Sequence, residues 1–193
     1  MKLLINSMKK LLAIIVLSLC FITPSQADDI KDFQIEGMSI GDSLLDYFSE
    51  KEISEALDES DDKKYTQKTI IANQSNLYES LQFAYKSSDQ KKIIVGFGGV
   101  IYFPNNISKC KKEMKKISTE LTNLFPNADK KEWGKYNFPG GKGHYFPITF
   151  TFADSTLAMV ACNEFNKESG IDYNLKVALF SAEFNQHLKK KNN

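Results

Sequence analysis

Between Ile107 and Phe125 the apolar residues Ile107, Cys110, Met114, Ile117, Leu121, Leu124 and Phe125 recur every three or four positions, while Lys109, Lys111, Lys112, Lys115 and Lys116 take the other positions. That period is one face of an α-helix, and a helix with a single apolar face must lie on something. The flanking sequence supplies a sheet. Tyr65 to Ile71, Leu81 to Lys86, Lys91 to Phe103, Ile148 to Phe152, Thr156 to Phe165 and Tyr173 to Phe180 all read as strands. The polar gaps between the first three are too short for a crossover helix, so those strands pair as antiparallel hairpins. The expectation is an α+β domain: an antiparallel sheet of about five to seven strands, the long helix packed on one face, and a short N-terminal helix pair.

Local signals mark the ends of these elements. Asn105 or Asn106 opens the long helix and Pro126-Asn127 closes it. Gly41-Asp42-Ser43 offers turn and cap chemistry before Leu44, Leu45, Tyr47 and Phe48, and Ser49 with Glu52 has capping-box spacing ahead of Ile53. Phe33 to Ile40 alternates apolar and polar residues and predicts a short extended segment. Lys130 to Tyr145 contains Pro139-Gly140-Gly141-Lys142-Gly143-His144 and predicts a loop or a wide hairpin. Ser181 caps a short C-terminal helix carrying Phe184 and Leu188.

The first 27 residues have the order of a secretory signal: Lys9-Lys10, an apolar run from Leu11 to Ile22, then Ser25-Gln26-Ala27 before Asp28. The run is shorter than the roughly 20 residues a membrane-spanning helix needs, so no transmembrane segment is expected in the mature chain. Leu17-Ser18-Leu19-Cys20 departs from a lipobox because Leu19 is large. The expected organisation is a signal peptide over 1–27 and one domain over 28–193, in the periplasm or secreted. Cleavage removes three lysines and no acid, leaving 22 lysines against 24 acids, about −2. That balance argues against a nucleic-acid binder. Every basic residue is lysine, and the absence of arginine removes the planar fork suited to phosphate.

Cys20 leaves with the signal, and the remaining pair, Cys110 and Cys162, predicts a disulfide in an oxidising compartment. Two histidines, His144 and His187, stand at no ligand spacing from a cysteine, so no metal site is expected, and no cofactor pattern emerges. Asp58, Ser60 and Asp62 alternate as in a calcium loop, but Lys63 and Thr69 occupy the glycine and glutamate positions. No Gly-x-Ser-x-Gly elbow surrounds any serine. The glycine-rich loop with Trp133, Tyr136, Phe138, Lys142, His144 and Tyr145 is the candidate surface for a ligand or partner.

The stretch Phe33-Gln34-Ile35-Glu36-Gly37-Met38-Ser39-Ile40-Gly41-Asp42-Ser43-Leu44-Leu45, continuing to Ile53, resembles the opening of a group of small uncharacterised exported proteins of marine alphaproteobacteria. The similarity extends to Cys110, Cys162 and Ser181-Ala182-Glu183-Phe184. At the level of pattern, Gly-Met-Ser-Ile-Gly before paired short helices and a meander is similar to the outer-membrane assembly lipoprotein and β-lactamase-inhibitor-like families, which implies a binding module. The functional expectation is therefore a non-catalytic periplasmic protein that binds a protein, a peptide or an envelope component. The alternatives are a hydrolase using His144 or carboxylates such as Glu36, Asp42 and Asp46, and a carrier of a small apolar ligand, suggested by 14 phenylalanines and eight tyrosines.

Overall fold

A computed structural model describes residues 33–59, 62–72 and 77–191. The expected signal peptide, the Leu17–Cys20 segment, Ser60 and the expected turn at 73–76 lie outside the described residues.

The N-terminal segment folds by local polar chemistry. Ile35 and Met38 exchange backbone hydrogen bonds of 3.1 Å each across Glu36 and Gly37, whose φ values are 53° and 78°. Two successive left-handed residues make a tight reversal, so Phe33 to Ile40 is not the extended strand its alternation suggests. The alternation instead buries Ile35 and Met38 in the core. Ser43 then caps a single 3-10 turn, Leu44–Asp46, in which Leu44 is fully buried. Ser49 and Glu52 close a reciprocal capping box on helix α1, Glu50–Glu55. The expected helix pair is thus a 3-10 turn followed by one six-residue helix.

Strands β1 (Leu57–Asp58), β2 (Tyr65–Ile71), β3 (Ser80–Lys86) and β4 (Gly96–Tyr102) precede the long helix α2, Ile107–Leu124. After it come β5 (Asp129–Glu132), β6 (Tyr136–Asn137), β7 (Gly143–Thr151), β8 (Leu157–Phe165) and β9 (Asn174–Phe180), then helix α3, Ala182–Lys191. All pair antiparallel in one sheet of order β1-β2-β3-β4-β9-β8-β7-β5, with β6 also on β7.

Among the described residues nine strands form rather than five to seven, and the additional ones share a cause. β1 and β6 are two residues long, and β5 reads Asp-Lys-Lys-Glu with every residue exposed. None has an apolar face; β5 and β6 are set by pairing to β7, which brings Ile148 and Phe150 to the core. Charge on an outer strand also discourages edge-to-edge association. β4 starts at Gly96 rather than Lys91 because Asp89 captures the N–H groups of Lys91 and Ile93 at 3.0 Å each, fixing a turn there.

Helix α2 is capped by Asn106, whose Oδ1 accepts from the Lys109 N–H at 2.9 Å. Its contacts concentrate on β8 and β9 rather than running across the whole sheet. The N-terminal segment fills the remainder of that side, with Phe48 5.4 Å from Phe83 and Phe33 5.9 Å from Phe125. Cys110 and Cys162 join α2 to β8, with an S–S distance of 2.08 Å and Cα atoms 5.9 Å apart. Both cysteines are fully buried among Leu175, Val160 and Met114.

A second, smaller core lies on the opposite side, where Phe184 of α3 meets Tyr65, Ala84 and Phe180. Gly96 makes this approach possible, since a Cβ there would stand 2.7 Å from the Phe184 ring. Two carboxylates fasten α3. Glu183 accepts from Lys86 at 2.7 Å, Tyr65 Oη at 2.9 Å and Lys64 at 3.3 Å, donors that hold its carboxyl down to about 2. Asp62 lies 2.7 Å from His187 Nε2, 3.2 Å from Lys191 Nζ, and accepts the Lys64 and Tyr65 N–H groups. The His187 contact above all keeps Asp62 well below the ordinary carboxylate range. His187, although it stands in a lysine-rich tail, is partly buried on the Tyr65 ring.

Two outcomes follow from these fastenings. The disulfide spans 52 residues, and closing such a loop stabilises by about 4 kcal/mol in the chain-entropy picture. Replacing both cysteines by alanine should therefore lower the unfolding free energy by about that amount, read from urea denaturation. Glu183, whose folded pKa lies below the unfolded value of about 4.3, contributes stability that is complete above that value and is lost as pH falls toward 2. Glu183→Gln should flatten the decline in stability across that acid window, measured by urea unfolding at stepped pH.

Candidate functional site

The candidate residues converge on β7 and the hairpin that leads into it. Strand alternation sends Tyr145, Pro147 and Thr149 to the side away from α2, and His144, Phe146, Ile148 and Phe150 to the α2 side. Phe146 confirms the direction, since it pairs with Cys162 and lies 3.4 Å beneath the Lys111 ammonium of α2. β6 then places Tyr136 beside Tyr145 and Asn137 beside His144.

On the side away from α2 the aromatic rings form a continuous series. Trp133 meets Tyr136 edge-on at 6.0 Å, Tyr136 stacks on Tyr145 at 5.6 Å, Tyr145 lies 5.0 Å from Phe138, and Phe138 stacks on Phe165 at 4.9 Å. Spacings of this kind are worth about 0.5–1.5 kcal/mol per pair beyond burial and make a stiff surface. Trp133 is anchored as well: its Nε1 donates to Thr149 Oγ1 at 2.9 Å, and the Lys131 ammonium sits 3.6 Å over its ring. Trp133 and Tyr136 remain 37% and 41% exposed. Partial burial among these neighbours raises the Tyr145 hydroxyl above its ordinary value.

The glycine turn is the structural hinge of this surface. Gly140 and Gly141 adopt φ of 73° and 69°, and Phe138 N–H donates to Gly143 O at 2.9 Å to close the hairpin. Gly143 has φ 139°, and a Cβ on it would stand 2.2 Å from the Glu164 carbonyl oxygen. Only glycine fits there. Asn166 fastens the turn by donating twice, from its N–H to Lys142 O at 2.9 Å and from Nδ2 to Gly141 O at 2.6 Å. The Gly141 N–H donates to Phe138 O, so this amide is spent on the turn and not offered to an anion. Lys142 is exposed at the tip, outside the ring series.

His144 lies on the other side of β7 from the rings. Its Nδ1 stands 2.8 Å from Asn137 Oδ1, and its cross-strand neighbour is Glu164. Together with Lys135, Lys167, Glu168 and Tyr173, His144 and Glu164 line an open hollow of about 470 Å³. Of the carboxylates considered for hydrolysis, Asp42 accepts from Ser39 N–H at 2.8 Å and Tyr47 Oη at 2.7 Å, and the backbone of Glu36 forms the tight reversal. Among the described residues no group of three His, Cys, Asp or Glu could hold a metal ion, and no helix is long and apolar enough to cross a membrane.

Several participants escaped sequence reasoning. Phe165 and Thr149 belong to strands legible by alternation, yet their ring and hydroxyl contacts depend on register. Asn137 and Glu164 carry no motif at all. On the side of the sheet away from α2, Lys176, Gln82, Gln67 and Glu59 line a cleft of about 50 Å³ beside Gly96 and Gly98. Burial lowers the Lys176 ammonium pKa there, against the pull of Glu59.

Comparison with known protein families, curated proteins and solved structures found no match. The site is therefore read from its own geometry. Gly143→Ala should destabilise the protein by at least about 2 kcal/mol, through positive-φ strain and the collision with Glu164 O. The same substitution should change the fluorescence of Trp133, the only tryptophan, because the hairpin that seats Tyr136 against it loses its turn.

Proposed function

We propose that the mature chain is a non-catalytic protein of the bacterial envelope, exported after loss of residues 1–27, and that its partner is a protein or peptide seated on the ring series of β5, β6 and β7. The observation that carries this reading is the run Trp133–Tyr136–Tyr145–Phe138–Phe165, five rings each in contact with the next and exposed at the Trp133–Tyr136 end. Stiff aromatics present large contact area at small entropic cost and are the residues that dominate binding energy at interfaces.

The position supports the reading too. β5 is an outermost strand of the sheet with all four residues exposed, so an extended segment of a partner can add to its edge while its side chains meet the rings. Lys131, whose ammonium lies 3.6 Å over the Trp133 ring, offers a positive charge there to acidic side chains on the partner. The buried disulfide suits a compartment outside the cytoplasm. Kinship with the small exported proteins of marine alphaproteobacteria is part of the same proposal, resting on the Phe33 to Ile53 segment and the two cysteines.

A photo-crosslinking residue at position 133 or 136, compared with one at Lys112 on the outer face of α2, tests the surface in cells of the native host. Positions 133 and 136 should give the same discrete adducts, and position 112 should not. Identical patterns at all three positions, or no adduct at 133 and 136, would count against the proposal.

A further inference from the structure

We propose that the hollow at the His144 end of β7 and β8 binds a zwitterionic small molecule, a free α-amino acid, independently of any partner on the aromatic rings. Register builds its floor. Asn137 pairs with His144 and His144 with Glu164, and one residue beyond the Asn163–Asn174 pair Tyr173 falls beside Glu164. His144, Glu164 and Tyr173 are each partly buried, whereas Lys135, Lys167 and Glu168 stand exposed around the rim. The hollow is open to solvent and bordered mainly by polar groups.

The chemistry of the lining selects the ligand. Asn137 Oδ1 can only accept, so His144 Nδ1 carries the hydrogen of their 2.8 Å contact, and in the neutral ring Nε2 keeps its lone pair. That leaves an acceptor of fixed orientation beside the Glu164 carboxylate. Among the described residues no ion pair joins Lys135 or Lys167 to Glu164 or Glu168. Charges of both signs thus border one hollow without pairing directly with one another. A simple anion would meet Glu164 and Glu168, and a simple cation would meet Lys135 and Lys167, each with repulsion. A molecule holding an ammonium and a carboxylate a few bonds apart satisfies both sides: the ammonium donates to Glu164 and to His144 Nε2, and the carboxylate accepts from the two lysines.

The test is a screen of the common free L-α-amino acids against the full mature chain by thermal shift, followed by nitrogen-15 NMR titration of any that stabilise it. At least one amino acid should give saturable shifts centred on residues 135, 144, 164, 167, 168 and 173. Its N-acetyl derivative and its amide, each lacking one charge, should bind at least tenfold more weakly. Glu164→Gln should weaken binding about tenfold while leaving the fold's NMR spectrum otherwise intact, and Lys112→Ala, on the outer face of α2, should leave binding unchanged. Absence of saturable binding by every amino acid, or equal binding of the acetylated or amidated derivative, would overturn the proposal. Either result leaves the crosslinking test at position 133 unaffected, so the two readings fail separately.

Discussion

Sulfur holds the long helix to the middle of the sheet, and much of the rest is arranged around that joint. Cys162 sits on β8 between β7 and β9, so one covalent link couples α2 to the three strands that carry the core residues Phe150, Val160 and Leu175. Domains of this size are stable by about 5–15 kcal/mol. A cross-link worth about 4 kcal/mol is a large part of such a margin. The outer strand β5 consists entirely of exposed charged residues, because its position is inherited from β7 and not from an apolar face of its own.

The two faces of β7 are used differently because a strand alternates. On one side Tyr145 and Thr149 hold Tyr136 and Trp133 in a stiff aromatic surface; on the other, His144 is set by Asn137 next to Glu164. Both arrangements depend on the turn at Gly143, where no larger residue fits against the Glu164 carbonyl. The far end of the sheet is closed by a separate device, helix α3, which is fastened by Asp62 and Glu183 through charge-assisted hydrogen bonds.

The sequence made some of this legible and concealed the rest for physical reasons. The period of Ile107 to Phe125 announces α2, the alternation of Ile148, Phe150 and Phe152 announces β7, and Ser49 with Glu52 announces a capped helix start; each signal is local. The pairing of Cys110 with Cys162 was legible by elimination once Cys20 was assigned to the signal. Strands β1, β5 and β6 were not, because their conformation is imposed by a neighbour and their own residues carry no period. The reversal at Glu36-Gly37 mimics strand alternation, since Ile35 and Met38 reach the core from either side of a turn. Contacts such as Asp62 with His187, 125 residues apart, are set by where α3 docks, and no short-range pattern encodes them. At the candidate site the residue types Trp133, Tyr136, Phe138 and Tyr145 were visible as a cluster, whereas Phe165, Asn137 and Glu164 join it only through register.

The central claim is that the disulfide-anchored β7–β8 pair is the platform on which the aromatic surface stands. Hydrogen–deuterium exchange mass spectrometry of the folded protein, with the disulfide intact and after reduction under otherwise identical conditions, addresses it most directly. Reduction should speed exchange in α2, β7 and β8 more than in β2 and β3, which pair away from the joint. Equal acceleration throughout the sheet, or unchanged protection in β7 and β8, would contradict the account.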